Sequence, residues 1–477
     1  MSEHVGYVVK VEKLRPHTNA DRLQVATFFG NDTCVGLDVK IGDIGVYFPT
    51  DLQLDYDFCV KNHLLRKLID GTPDKGYMDP NKRNVSTIKL RGEKSDGIYV
   101  NISDFDYCFD DDASKYLKIG DTISVVNGHP ICQKYIPHSN KRTGHPTEGN
   151  RTRKKKAPIA PLFTEHADTE QLAYNLGAFQ AGDQIEITLK MHGTSQRTGY
   201  LPVFKGYKRS LWDKIMKRDG TPIYEWGYVS GTRRTVLENF DGGFYGSNLF
   251  REQHSKFFEG KLHKGEEVYY EVVGFTDTGA PIMASASNKK LNDKAFIKQY
   301  GETTTFSYGC SPTGYNTYPD GSHEEVPQSE LYVYRMTMTN EDGDIVEYTP
   351  DFMRYRCEQM GCKTVPVMWK GFIPADETLE ESYDCNGEWG NWKTIRKGSP
   401  GEWIMNIAEQ YYAGPDPIGK THTREGVVVR IVNKPKFCAY KHKNFEFKVL
   451  EGIIKESAEA PDIEEAQELE VKYETEN

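Results

Sequence analysis

The sequence predicts a multidomain protein: an all-β barrel at the N-terminus followed by a larger α+β domain. Three observations carry this. The chain has 477 residues, more than one ordinary domain holds. Over residues 1–128, short alternating runs recur at Val5–Val11, Leu23–Phe29, Gly45–Phe48, Thr87–Leu90, Gly97–Val100 and Thr122–Val126. Turn signals such as Gly30-Asn31-Asp32 and Gly42-Asp43 separate them, and several short strands so spaced suggest a small barrel. Beyond Pro161, strands at Gln184–Leu189, Glu267–Val273, Leu331–Met338 and Gly426–Val432 mix with helical stretches near 168–178 and 402–412, the pattern of an α+β domain.

Between these parts, from Gly128 to Pro161, the chain turns rich in Pro, Lys and Arg. The expected organisation is therefore residues 1–128, a basic linker over 129–161, a main domain over 162–455 and an acidic tail over 456–477. Net charge is −10. From Glu451 to Asn477 there are ten acidic residues and two lysines, or −8, which leaves −2 for the rest. Residues 141–156 hold seven Lys or Arg against one Glu, and screening over ~10 Å makes such a local patch count for more than the total. That patch is either a solvated linker or a nucleic-acid contact, and the two are compatible. No apolar run approaches ~20 residues, so no transmembrane helix is expected. The nine cysteines are scattered, with Cys357 and Cys362 the closest pair and no second pair at zinc-ligand spacing. With an N-terminus lacking signal-peptide character, this predicts a reduced, cytoplasmic protein, in the host cytoplasm if the source is viral.

One stretch raises a chemical question. The strand Gln184–Leu189 delivers Lys190 into Met191-His192-Gly193-Thr194-Ser195, which is either a hairpin corner or a lysine held for chemistry. A lysine attacks as its neutral amine, and moving its reference pKa of ~10.4 to near 7 takes roughly 4 kcal/mol. Neighbouring cations or a bound metal supply this, so lysines, arginines and metal-holding carboxylates should recur elsewhere. Five stretches fit. Val229-Ser230-Gly231-Thr232-Arg233-Arg234 runs from a strand into an arginine turn. Val268-Tyr269-Tyr270-Glu271-Val272-Val273-Gly274 sets one carboxylate in an apolar strand. Leu331-Tyr332-Val333-Tyr334-Arg335-Met336 is an aromatic strand. Arg424-Glu425-Gly426-Val427-Val428 opens a strand with a carboxylate. Tyr440-Lys441-His442-Lys443-Asn444 sets two lysines on one strand face.

In this order the six stretches resemble motifs I, Ia, III, IIIa, IV and V of the covalent nucleotidyltransferase superfamily of polynucleotide ligases and capping enzymes. Lys190-Met191-His192-Gly193-Thr194 and Tyr440-Lys441-His442-Lys443-Asn444-Phe445-Glu446-Phe447 are similar to the T4 RNA ligase 2 type. DNA ligases usually have Asp where this chain has His192. Leu14-Arg15-Pro16-His17-Thr18-Asn19-Ala20-Asp21-Arg22-Leu23 and Ile88-Lys89-Leu90-Arg91-Gly92-Glu93-Lys94-Ser95-Asp96-Gly97 resemble OB-fold RNA-binding modules of tRNA-binding proteins. An OB domain before this core resembles the Naegleria and Deinococcus type of RNA ligase. The resemblance leaves 276–330 and 339–423 loosely covered.

The resemblance implies an N-terminal OB-fold barrel and an α+β, ATP-grasp-like nucleotidyltransferase domain. The implied activity is ATP-dependent RNA ligation, joining 3′-OH and 5′-phosphate ends through a lysyl-AMP intermediate and an RNA-adenylate. Lys190 would be the nucleophile and His192 would act at the joining step. Arg233, Glu271, Tyr334, Lys441 and Lys443 would bind the nucleotide, Tyr334 by stacking on adenine and Glu271 through the ribose. Glu425, with Glu271 as a second candidate, would hold Mg²⁺ or Mn²⁺. Arg234, which competes with Arg233 for its place in the motif, and Lys154, Lys155 and Lys156 would meet RNA. A monomer is expected, with no membrane partner. The rival readings are a DNA ligase or capping guanylyltransferase, and a non-catalytic RNA-binding protein. The first two carry a further C-terminal OB domain, for which the residues after Asn444 leave no room.

Overall fold

A computed structural model describes residues 4–135, 157–166, 169–216, 220–233, 235–237, 240, 248–318, 320–375 and 398–456. Arg234, the basic stretch 141–156 with Lys154, Lys155 and Lys156, and the acidic residues beyond 456 lie outside the described residues. The chain divides into two compact units. One takes the described residues up to Tyr135 together with Lys448–Glu456, and the other those from Ala157 to Phe447. Among the described residues no helix is long and apolar enough to cross a membrane.

In the first unit, antiparallel strands Gly6–Lys10, Ile44–Phe48, Ile98–Asn101 and Thr122–Ile123 form one sheet, and Leu14–Pro16, Leu23–Phe28 and Asn31–Gly36 form a second. Two-residue turns close two hairpins, Leu23–Phe28 with Asn31–Gly36 and Thr87–Leu90 with Glu93–Asp96. Phe29 and Gly30 have φ of 50° and 78°, and Arg91 and Gly92 have 46° and 96°. Both residues positive is the turn whose twist matches paired strands, and it favours glycine. Val8, Val46, Phe48, Leu52, Leu54, Phe58, Val100 and Phe105 share the core. Among the described residues these sheets do not join into the closed barrel that the strand pattern suggested. The stretch from Asp55 to Ser86 carries one short helix, Tyr56–Lys61, and isolated bridges, which interrupt the ladder between Leu54 and Thr87.

The two stretches that resembled an RNA-binding module are bound to each other. The Arg15 guanidinium reaches Glu93 and Asp32, each at 2.9 Å, and the His17 ring contacts the Leu90 carbonyl at 3.0 Å. Hydrogen bonds from Arg15 and Thr18 hold the Glu93 carboxyl down to about 2. The Lys448 ammonium meets the buried Asp96 carboxylate, which also accepts from Thr87 Oγ1 at 2.7 Å.

The second unit is built on two sheets. The lysine strand, Gln184–Lys190, lies between Val367–Phe372 and Gly426–Ile431, with Ala439–Lys443 and Glu170–Gln171 beyond. Its row positions fix the chemistry: Lys190 pairs Gly426, which pairs Lys443, and Thr188 pairs Val428, which pairs Lys441. Side chains alternate across a strand, so the three lysines share one face with Glu186 and Arg430. The opposite face carries Ile185, Ile187, Leu189, Val427, Val429 and Ile431, all buried.

The other sheet orders Val236–Leu237, Thr221–Gly231, Thr194–Lys208, Glu266–Gly274, Ser329–Thr339 and Ile345–Glu347. One face, with Val268, Tyr270, Val272, Leu331, Val333 and Met336, packs on the helix Pro350–Met360 through Met353, Cys357 and Met360. That helix starts at the Thr349 cap with Pro350 in its first turn and stops at Gly361, φ 74°. The helix expected near 402–412 is Pro400–Glu409, opened by a Ser399–Glu402 capping box. The one expected near 168–178 is instead the two-residue strand Glu170–Gln171 and two single 3₁₀ turns. There the Asn175 side chain bonds the Gln171 carbonyl at 2.8 Å and Gly177 follows, both of which oppose a continuing helix.

Arg356 of the Pro350–Met360 helix reaches the wholly buried Glu266 through two bonds of 2.8 Å. Burial would push this carboxyl up, and Arg356 together with the His263 N–H outweighs it, so the net shift is downward. Removing one partner of such a pair strands the other charge. Arg356→Ala is expected to cost ~3–5 kcal/mol in urea unfolding, with part recovered when Glu266→Gln is added. An unchanged midpoint for the single variant would contradict this role.

Candidate active site

The lysine strand does not end in a hairpin. Met191, His192 and Gly193 carry the chain from one sheet to the other, where Thr194 begins the next strand. The crossing is tight. A Cβ on Gly193 would lie 2.4 Å from the Val272 carbonyl oxygen and 2.8 Å from Glu271 Cγ. Gly426 is constrained likewise, with φ of 154° and a Cβ position 2.1 Å from the His442 oxygen. Glycine at both positions lets Lys190, Glu425 and Lys443 come together.

Glu425 is their common partner. Its Oε1 lies 2.7 Å from Lys190 Nζ and 3.7 Å from Lys443 Nζ, and its Oε2 lies 3.5 Å from His192 Nδ1. The carboxylate is 2 % exposed and Lys190 is 24 % exposed, so a partly open lysine is paired to a buried carboxylate. Burial alone would raise the Glu425 carboxyl. Lys190, the nearby His192 ring and Lys443 overcome it and hold the group well below the usual carboxylate range.

His192 is held by its surroundings. Its ring stands edge-on to Phe306 at 4.5 Å and to Phe447 at 4.8 Å. Its backbone N–H donates to Tyr308 Oη at 2.7 Å. Tyr308 is buried and has a φ of 49°, unusual for a bulky residue. Burial pushes its phenol well up, the His192 N–H opposes this, and the carboxylates of Glu425, Asp416 and Glu271 add to the rise. Tyr308 therefore stays a neutral acceptor beneath the crossing.

The remaining sequence-predicted residues divide between the sheets. Lys441 sits one row beyond Lys443, paired with Val428 and Gln171. Glu271 pairs with Ser195 and Tyr332 on the second sheet, with its side chain against Gly193. Tyr334 is the extra residue of a β-bulge: Tyr269 pairs Arg335 and Tyr270 pairs Val333, which leaves Tyr334 outside the ladder. This turns its hydroxyl to Ser195 Oγ at 3.1 Å. Arg233 lies in the turn after Thr221–Gly231, and its carbonyl accepts from His166 N at 3.0 Å. The same turn is anchored by Arg197, whose Nε donates to the Thr232 oxygen at 2.9 Å and whose guanidinium lies 3.8 Å over Phe163.

Several members of the site escaped the sequence reading. Asn444 belongs to the last motif, and the sequence pattern predicts no role for it. Its amide donates to Thr423 Oγ1 at 2.9 Å, its N–H to the Glu425 oxygen at 2.8 Å, and its Oδ1 accepts from Glu446 N at 2.9 Å. It thereby fixes the backbone of Glu425. Arg335 binds Glu347 at 2.8 Å and His166 Nδ1 at 2.9 Å, and Glu347 also takes Arg430 at 3.3 Å. Arg335 and Arg430 both lie over Phe437, at 4.6 and 5.1 Å. Tyr308 comes from the loosely covered stretch 276–330, and nothing local in Ser307-Tyr308-Gly309 signals its contact.

The residues present suit a hard divalent cation. Glu425 Oε2 is buried with no hydrogen-bond partner at bonding distance. Among the described residues no group of three or more His, Cys, Asp or Glu could hold a metal by itself. One carboxylate completed by phosphates and water is how Mg²⁺ is commonly bound.

Comparison with solved structures finds the fold. A Naegleria gruberi RNA ligase mutant with AMP and Mn superposes with a TM-score of 0.52 at 14 % identity, covering 93 % of this chain and 97 % of that one. Another, without ligand, gives 0.52 at 13 %, over 94 % and 98 %. The same ligase with PPi gives 0.51 at 14 %, over 92 % and 96 %. No protein-family model and no curated protein matches the chain. The multidomain, mixed α/β fold of these structures is thus shared over nearly the whole length of both chains.

The Glu425 shift makes a pH prediction. A carboxyl depressed in the folded protein contributes stability above its unfolded value of ~4.3, and this is lost as pH falls through the folded value. Glu425→Gln is therefore expected to melt lower than the parent at pH 7, with the gap narrowing towards pH 3. A constant gap in thermal melts across pH 3–7 would refute the assignment.

Proposed function

We propose that this protein is an ATP-dependent RNA ligase that seals 3′-OH and 5′-phosphate ends through a lysyl-AMP intermediate. The observation that carries the reading is the convergence of Lys190, Lys443 and His192 on the buried Glu425 carboxylate. The shared fold with an RNA ligase supports it.

In this reading the Lys190 amine attacks the α-phosphorus of ATP. An N–P bond forms, the P–O bond to pyrophosphate breaks, and the amine loses a proton. Oxygen of an RNA 5′-phosphate then displaces Lys190 from AMP, forming a P–O–P bond and returning the amine. Finally the RNA 3′-OH attacks the 5′ phosphorus, closing the strand and releasing AMP. Such transfers depend on positioning and charge neutralisation. Lys443 and Lys441, on the same sheet face as Lys190, would bind the α-phosphate. Tyr334, turned out of the ladder by the bulge, would stack on adenine. Glu271, against Gly193, would accept from the ribose, and Arg233 would meet the ribose or the RNA end. His192, packed against Phe306 and Phe447, would act in the joining steps.

Glu425, with Glu271 as the second candidate, would hold Mg²⁺ or Mn²⁺, whose chemistry is to neutralise charge developing on the phosphates. The RNA would be held by the first unit, in the role of an OB-type module, and by the basic stretch that includes Lys154, Lys155 and Lys156, with Arg234 near the end. We place the activity in the cytoplasm of a cell and in a monomer.

The test is label from ATP marked at the α-phosphate. The parent protein with Mg²⁺ is expected to carry label after denaturation, and Lys190→Ala none. Glu425→Gln and Lys443→Ala are expected to lose at least 100-fold, the scale of removing one preorganised charge contact. The labelled protein should then seal nicked RNA. Label from GTP alone would indicate a capping-type enzyme, and sealing only of DNA 3′-OH ends a DNA ligase. No label from either nucleotide would leave a non-catalytic RNA-binding protein.

A further inference from the structure

The strand that follows the sheet crossing is longer than its sheet. Thr194–Lys208 pairs with Thr221–Gly231 from Arg197 to its end at Lys208, but with Glu266–Gly274 only from Thr194 to Gly199. Leu201–Lys208 and its partner therefore leave the sheet as a two-stranded arm, about 26 Å long at ~3.3 Å per residue. A free ribbon of two strands is marginal in water. This one is braced: Phe204 N donates to the Ile159 oxygen at 2.7 Å, Ala157 N to Tyr207 Oη at 3.1 Å, and Phe204 packs on Tyr207 and Tyr224 at 5.0 and 6.0 Å.

The arm ends in the single-turn helix Leu211–Ile215, set by a Ser210–Asp213 capping box. That tip turns its apolar side chains outward. Leu211 is 78 % exposed, Trp212 74 %, Ile215 68 % and Met216 56 %. Around them the charge is positive. Residues 205–219 hold six Lys or Arg against Asp213 and Asp219, in a chain of net charge −10. Lys205, Lys208 and Arg209 are exposed on the described part of the arm. An outward indole among cations suits an unpaired base with its phosphates: every base offers a face to stack on, and every phosphate a charge to neutralise. The arm is also continuous with the site, since its first strand carries Ser195 and Arg197 and its second leads to Arg233. From Ser195 to Lys208 the strand spans about 43 Å at ~3.3 Å per residue.

We propose that this arm binds the RNA substrate at a distance from the joined ends. Trp212 stacks on an unpaired base, and Lys205, Lys208 and Arg209 track the flanking phosphates. The proposal rests on the RNA ligase reading for the polymer it names.

The experiment uses the full chain and RNA carrying 5-iodouridine at single positions in an overhang or loop. Ultraviolet irradiation is expected to link the peptide around Trp212 to RNA. Trp212→Ala is expected to weaken RNA binding about tenfold, with Trp212→Phe retaining most of it. Lys208→Glu with Arg209→Glu is expected to lower the salt dependence by a slope of about one to two. Lysine labelling by ATP, which needs no RNA, reports that the variants fold. Unchanged affinity together with no cross-link overturns the proposal. So does an arm variant that abolishes flotation with anionic vesicles, or self-association in ultracentrifugation, while RNA affinity stays the same. A parent that cross-links through the arm yet never takes label would overturn the ligase reading and leave the arm's role standing.

Discussion

A carboxylate removed from water stays ionised only if cations take the place of the solvent, and the second unit is arranged around one such carboxylate. Glu425 sits at the start of a strand whose next residue, Gly426, lets the His442 backbone pass close by. That passage brings Lys443 onto the row of Lys190, and both ammonium groups fall on Glu425 Oε1. Without those cations the buried carboxyl would take up a proton instead of staying ionised. The same electrostatic demand fixes three functional groups relative to one another without any ligand present. Asn444 adds the last restraint, because it binds the Glu425 backbone from one side and caps the following helix from the other.

The two sheets of this unit are joined by a second kind of constraint. Glu347 on one sheet is shared by Arg335 of that sheet and Arg430 of the other, and both guanidinium groups lie against the Phe437 ring. Glu186, also on the lysine sheet, takes Arg354 from the helix that backs the second sheet at 2.8 Å. Buried ion pairs add little net stability over apolar packing, but they tolerate few geometries. Their effect here is to fix the spacing of the faces that carry Lys190 and Lys443 on one side and Glu271 and Tyr334 on the other. The chain crosses between those faces in the three residues Met191 to Gly193, so a shift of one sheet would pull directly on His192.

Much of this was legible in the sequence, for physical reasons that can be named. The strands were visible because their buried residues alternate, as in Gln184–Lys190, or run apolar, as in Gly426–Ile431. Lys190, Glu425 and Lys443 stood out as charges next to apolar strands, where an unpaired charge is too costly to keep. Gly193 and Gly426 were legible as backbone positions and unexplained until their contacts were known. Other features were out of reach. The bulge at Tyr334 depends on the register of two strands, and no local pattern specifies it. The helix expected near 168–178 failed because the apolar residues there serve one 3₁₀ turn, Leu172–Tyr174, which buries Leu172 and Ala173. The Arg15 stretch read as an RNA-facing motif, yet its arginine is engaged by Glu93 and Asp32, far along the chain and visible only once folded.

Tyr308 shows how the uncharged part of the site supports the charged part. Its backbone occupies the left-handed region, which costs of order 1 kcal/mol or more for such a residue, and it persists only because its neighbours leave no alternative. Gly309 follows at φ 82°, His422 stands edge-on to the phenol ring at 4.5 Å, and the hydroxyl takes the His192 N–H. Burial drives the His422 imidazole towards its neutral form, against the pull of the Thr423 carbonyl and Asp416, so no further positive charge is placed behind His192. Neutral aromatic groups thus hold the crossing in place from beneath, while the cations act from the lysine sheet. A cationic support would compete with the lysines for Glu425. A neutral, strained one holds the backbone and leaves the electrostatics of the carboxylate undisturbed.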